Sequence, residues 1–166
     1  MKKIYTILKY RYFYIISIVS LFFLFDQATK EITMRLLNIG ESFPSEGFFR
    51  FTHVRNFGSA FSIIEDANLF LLIVGIAAII LILYFLIIVA KGSILLEIAI
   101  SLQLSGAIGN IMDRVRHGSV TDFIDIGIWP VFNIADSCIS VGMALLILHL
   151  IIEWKEGKGN PIEDNL

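Results

Sequence analysis

The chain has 166 residues, 57% of them hydrophobic, with a mean hydropathy of +0.80 and a formal net charge of −2. So apolar a composition is foreign to a soluble domain of this length and points to the bilayer as solvent. There is no basic tract and no nucleic-acid partner is expected, while the single Cys138 excludes an internal disulfide.

A membrane-spanning helix needs about 20 mostly apolar residues, because each residue rises about 1.5 Å through a hydrocarbon layer of about 30 Å. Four stretches meet that requirement, at about residues 10–30, 67–90, 94–112 and 133–154. The first is the least clean. Tyr12–Phe25 is too short alone and must recruit Lys9–Arg11 or Asp26–Thr29. Long basic side chains snorkel to the headgroups. Asp is too short for that, so Asp26 is expected at the membrane boundary, facing protein. The basic start and apolar core also fit a cleavable leader, but "DQATKE" supplies no small-x-small cleavage site; the segment reads as a span. Ala67–Ala90 carries no charge, Ile94–Met112 only Glu97, and the last span has Asp136 near its start.

Four spans place both termini on one side. Lys2, Lys3, Lys9 and Arg11 at one end, Lys91 in the short middle link and Lys155 and Lys158 near the other end assign that side to the cytoplasm. The loops 31–66 and 113–132 then lie outside. In "GFFRFTHVRNFGSAF", Phe49 and Phe51 alternate with Arg50 and Thr52, as in a strand with one apolar face, and Gly58 ends it. "SVTDFIDIGIWP" is rich in β-branched and aromatic residues up to Pro130. The two segments predict a small sheet resting on the membrane, with Trp129 in the interface. The expected fold is a single, mainly α membrane domain of four transmembrane helices with a small extracytoplasmic β-sheet.

The spans hold polar residues in patterns. Asn133, Asp136, Ser137 and Ser140 follow i, i+3, i+4, i+7 on one helix face. Ser101, Ser105 and Gly109 form a small-residue face suited to close helix approach. An Asp or Arg at the centre of a span costs about 2.5–3.5 kcal/mol on insertion scales, so such residues mark sites by default. The plain alternative is that Asp113 and Arg114 form an interfacial ion pair and Asp136 caps the fourth helix. Against it, Asp26, Asn56, Asn110, Asp113, Arg114, Asp122, Asp125, Asn133 and Asp136 all fall at outer span ends or in outer loops. No Ser/His/Asp set is evident. His53, His117 and His149 lack ligand spacing, so no metal and no cofactor are expected. Carboxylates are what remain. Two of them close together share a proton, one serving as base toward water and the other polarising a carbonyl. Composition does not choose Asp122 over Asp113 or Asp125 for such a pair.

"DQATK" (26–30), "NFGSAF" (56–61), "GAIGNIMDR" (106–114), "VTDF" (120–123) and "FNIADS" (132–137) resemble, in order and spacing, the blocks of lipoprotein signal peptidase, the bacterial membrane aspartyl peptidase also called signal peptidase II. The likeness covers about residues 12–154. It implies that Asp122 and Asp136 are the catalytic pair and that Asp26 supports the site. It implies also that Asn56, Asn110, Arg114 and Asn133 hold the substrate backbone or position the pair, with Asp113 supporting the architecture. The implied substrate is a prolipoprotein cut just before a cysteine that carries diacylglycerol. The implied setting is the bacterial cytoplasmic membrane, with the site near the outer face and a monomer as the working form. Thr121 stands where Val is commoner, and Phe57 and Ser59 replace smaller or more apolar residues, which bears on the loop over the site. The segment around Gly58 is expected to move as a flap. A small proton-coupled transporter is the alternative, but it needs polar groups through the bilayer depth, and Ala67–Ala90 carries no charge and the inner half of the third span only Glu97; a non-enzymatic assembly factor, the third reading, would tolerate Asn in place of Asp.

Overall fold

The computed structural model describes residues 2–58, 67–90 and 93–158. Helix α1 runs Lys2–Leu36, strand β1 Ser42–Phe43 and strand β2 Arg50–Asn56. Helix α2 spans Ala67–Tyr84 and continues as a π-helical turn, Phe85–Val89; α3 is Ile94–His117, β3 Val120–Asp125 and α4 Ile134–Lys158. Ser59 and the rest of segment 59–66, into which the expected flap extends, Lys91 and the tail 159–166 lie outside the described residues.

All four helices are long and apolar enough to cross a membrane, as Arg11–Leu36, Asn68–Ile88, Ile94–His117 and Ile134–Glu156. The helices outrun the apolar stretches read from sequence: polar residues of the end turns stay helical, Asp26, Lys30 and Asp113 buried against protein and Glu31, Arg35, Arg116 and Glu153 exposed. α3 is the central helix: α4 packs on it most extensively, then α1, then α2. Glycines allow the closest of these contacts. A Cβ on Gly109 would sit 2.6 Å from the Asp26 Oδ2 atom and 3.3 Å from the Ala135 Cβ, so α1, α3 and α4 meet there with no room for a methyl group. Ser101 and Ser105 of the same small-residue face are buried.

The helix end opposite the sheet is joined differently from the expectation for Arg11. That side chain does not snorkel. It is buried, its Nε donates to Glu97 Oε1, and Nη2 donates to the Leu86 carbonyl in the π-helical turn, at 2.7 Å. A charge pair satisfied in this way answers the burial cost of each partner, and Glu97 ceases to be an isolated carboxylate in a span.

At the other end of the bundle the two extended segments pair as expected. β2 and β3 are antiparallel, with Arg50 opposite Asp125 and Val54 opposite Asp122, and an irregularity between Phe51 and Val54. β1, which the sequence pattern did not announce, adds a third strand through Ser42 opposite Thr52. Phe49 stands before the strand and meets Phe51 edge to face. Phe43, Phe48, Phe51, Ile128 and Trp129 are exposed, an aromatic surface of the kind found at membrane interfaces.

Candidate active site

The N-terminus of α4 organises the site. Asn133 precedes the helix, and its side-chain oxygen accepts from the Asp136 N–H at 2.9 Å. Asp136 reaches back to accept from the Asn133 N–H at 3.3 Å. This reciprocal arrangement is a capping box. The sequence alternative made Asp136 the cap; the structure gives that role to Asn133 and puts Asp136 one turn in. The Ala135 N–H, another donor with no partner inside the helix, is taken by Asp26 Oδ1 of α1 at 2.9 Å.

Asn133 is fully buried and serves a second carboxylate. Its amide donates to Asp122 Oδ1 at 2.7 Å, and the Asn56 amide donates to Asp122 Oδ2 at 2.9 Å. Asn56 is itself fixed by accepting from the Gly58 N–H. Asp136 Oδ1 accepts from the Asn110 amide at 2.8 Å. One asparagine therefore holds both Asp122 and Asp136. Burial lifts the Asp122 carboxyl to about 6; the charge of Asp136 pushes the same way, while the Asn56 and Asn133 amides oppose.

The three outer carboxylates that the sequence left level are separated by their partners. Asp113 lies 3.1 Å from Lys30 Nζ, accepts from Gln27 at 3.0 Å and takes the Thr121 N–H at 3.0 Å. Asp125 is bound by Arg50 at 2.7 Å and by Thr52 and Gly127. The Gly127 N–H, the Thr52 hydroxyl and Arg50 hold its carboxyl below the usual range. Among the described residues, Asp122 has amide donors and no ion pair within 4.0 Å. A carboxylate neutralised by a cation is a poor proton carrier; one buried among amides is a good one.

Lys30 is the residue that sequence reasoning passed over, although it closes the "DQATK" block. It is about 1% exposed, with Nζ at 2.9 Å from Asp26 Oδ2, 3.1 Å from Asp113 Oδ2 and 3.1 Å from Asn110 Oδ1. Its i, i+4 spacing from Asp26 was the available signal. Asp26 of α1 and Asp113 of α3 thus share the Lys30 cation, and Asp113 pairs with Lys30 rather than with its neighbour Arg114. The half-buried Arg114 donates to the Asn110 carbonyl at 3.4 Å and interacts electrostatically with Asp136, Asp122 and Asp113. The eight residues that the family resemblance singles out fall in this one cluster, whereas Asp125, the ninth outer polar residue read from sequence, is held by Arg50, Thr52 and Gly127. His117 is exposed at the end of α3, and His149 lies near the far end of α4 beside Ser93 and Glu153. His53 is buried against the Leu37 carbonyl.

A four-helix membrane bundle with a small antiparallel sheet at one end thus brings two carboxylates, Asp122 and Asp136, onto one asparagine. Residues 18–152 match the family model for signal peptidase II. The lipoprotein signal peptidase of Halothermothrix orenii is 38% identical over 143 residues, 85% of this chain and 95% of that protein. The same enzyme of Clostridium tetani is 40% identical over 144 residues, 83% and 92% of the two chains. A bacterial membrane enzyme solved by the in meso method at 1.9 Å resolution superposes with a TM-score of 0.77 at 40% identity, covering 82% of this chain and 91% of that one. The chain belongs to the signal peptidase II family of membrane aspartic peptidases.

Proposed function

We propose that the protein removes the signal peptide from diacylglyceryl-modified prolipoproteins, cutting before the lipidated cysteine, with Asp122 and Asp136 as the catalytic pair. The observation that carries this reading is the double engagement of Asn133, which ties both carboxylates to one side chain and one backbone N–H.

In the proposed reaction the pair holds one proton, carried on the buried Asp122. Ionised Asp136, partly exposed, takes a proton from water as its oxygen adds to the scissile carbonyl carbon, and Asp122 gives its proton to the carbonyl oxygen. The tetrahedral species collapses with breakage of the C–N bond, and the proton held by Asp136 passes to the leaving amine. A second proton returns from the gem-diol to Asp122, restoring the starting state. Arg114 offers donors to a substrate carbonyl, and Asn56 and Asn110 hold the two carboxylates in place. Lys30, Asp26 and Asp113 lock the helices beneath.

The basic residues at both ends of the chain support cytoplasmic termini and a site facing the outer leaflet of the bacterial cytoplasmic membrane. There a lipidated substrate arrives sideways and water is within reach. All the proposed groups belong to one chain, so a monomer suffices. The test is purified protein in lipid with a diacylglyceryl prolipoprotein peptide. Wild type cleaves it, and Asp136→Asn is inert while keeping the melting behaviour of an intact fold. Normal turnover by Asp136→Asn refutes the mechanism.

A further inference from the structure

The amide of Asn110 stands between a buried cation and the proposed base. Its Nδ2 donates to Asp136 Oδ1 at 2.8 Å, while its Oδ1 accepts from Lys30 Nζ at 3.1 Å and from Asn133 Nδ2 at 3.2 Å. The two ends of an amide differ in what they can bond, one oxygen accepting and one nitrogen donating, so the neighbours set which end points where. Asn133 is fixed, because its own oxygen accepts from the Asp136 N–H at 2.9 Å. Lys30 is fixed by chemistry, since an ammonium has three donors and no acceptor. It is about 1% exposed, with Asp26 Oδ2 at 2.9 Å and Asp113 Oδ2 at 3.1 Å on its other sides. Its three donors thus go to two carboxylates and the Asn110 oxygen.

Reversing the Asn110 amide would set its N–H groups against the Lys30 ammonium and the Asn133 amide, and its oxygen against Asp136 Oδ1. Donors and acceptors on both sides would lose their partners at once. Only a protonated Asp136 could bond the reversed amide, and the single proton of the proposed pair would have to leave Asp122. We infer that Lys30 is a positioning residue of the reaction: acting through Asn110, it holds an N–H on Asp136 and so makes that carboxylate the ionised base and Asp122 the acid. The inference rests on the peptidase reading above and gives the lysine a task beyond joining helices. The charge of Lys30 is shared with Asp26 and Asp113, whereas its bond to the Asn110 oxygen is directional, and a chain of hydrogen bonds polarises each link in turn. Arg114, the other cation near Asp136, donates to the Asn110 backbone carbonyl at 3.4 Å and does not set the direction of the amide.

The test compares two Lys30 variants in an Asp113→Asn parent, which spares the fold one unpaired buried carboxylate. Lys30→Met removes the donor to Asn110; Lys30→Gln keeps an N–H without the charge. On the diacylglyceryl peptide, below every melting transition, Lys30→Met should lower kcat about ten- to a hundredfold relative to the parent, with KM little changed. Lys30→Gln should recover most of that loss. A purely structural lysine would treat both variants alike, so equal losses, or a loss confined to KM, overturn the inference. With Lys30 intact, Asn110→Asp retains the lysine bond and turns oxygen toward Asp136; wild-type kcat from that variant also overturns it. A second arm needs no cleavage. In protein carrying isotopically labelled asparagine, the Asn110 side-chain N–H₂ resonance, assigned by its loss in Asn110→Asp, should show the low-field proton of a carboxylate bond in the parent and in Lys30→Gln, and lose it in Lys30→Met. A resonance that Lys30→Met leaves in place overturns the inference. The expected shifts without any cleavage by wild type would instead refute the peptidase reading and leave the Lys30–Asn110–Asp136 chain standing.

Discussion

Replacing Asp122 with Asn should abolish cleavage and make the fold more stable at neutral pH. The carboxyl is lifted from 3.8 to about 6 in the folded chain, so folding costs free energy whenever it must be ionised. Two units correspond to about 3 kcal/mol at 1.36 kcal/mol per unit. Asn carries no charge and escapes that cost. It does bring an amide N–H₂ against the donors of Asn56 and Asn133, each of which now bonds a carboxylate oxygen. One mismatched donor pair takes back about 1–2 kcal/mol, leaving a net gain of about 1–2 kcal/mol. The sign follows from linkage. The folded state binds the Asp122 proton more tightly than the unfolded state, so this group's contribution to stability is full below pH 4 and is lost as pH rises through 6. The advantage of the variant should therefore be present at pH 7.5 and absent near pH 4. Thermal unfolding of detergent-solubilised wild type and Asp122→Asn across that range reads it directly. A variant less stable than wild type at pH 7.5, or a difference that ignores pH, would refute the reasoning that Asp122 is a strained, proton-carrying acid.

Three further perturbations separate the site from its scaffold. Lys30→Met leaves Asp26 and Asp113 buried without their shared cation; a loss of about 3–5 kcal/mol is expected in thermal or denaturant unfolding, together with loss of cleavage. Gly109→Ala drives a methyl group against Asp26 Oδ2 and loosens its bond to the Ala135 N–H, for a cost of about 1–3 kcal/mol and a lowered kcat on the diacylglyceryl peptide. Glu97→Gln strips the counter-charge from buried Arg11 at the far end of the bundle. Unfolding should become easier by about 3 kcal/mol or more, yet kcat measured well below the melting transition should stay at the wild-type value.

Much of the architecture was legible in the chain itself. Four apolar runs dictate four helices in a hydrocarbon solvent, because a spanning backbone must satisfy its own hydrogen bonds. The alternation around Phe49–Thr52 and the β-branched run at 120–125 mark the paired strands, whereas β1, Ser42–Phe43, is too short to carry any period. Asp26 faces protein as its short side chain requires. Arg11 shows the limit of such reasoning, since snorkelling is available only where no buried acceptor stands nearer, and Glu97 and the Leu86 carbonyl do.

By itself the sequence determined the polar residues of the site and the end of the bundle at which they gather, since charges are tolerated in a span only near its boundary or against a partner. What composition left level, and only the family resemblance ranked, the tertiary structure distinguishes by the partners each carboxylate receives. Asp113, Asp122 and Asp125 are alike as residues and lie within one short stretch. Lys30 from α1 claims the first and Arg50 from β2 the last, while Asn133 and Asn56 give Asp122 amide donors in a buried place where the charge of Asp136 is felt. Proton affinity depends on what surrounds a carboxyl in space, and that surrounding is assembled from segments far apart in the chain.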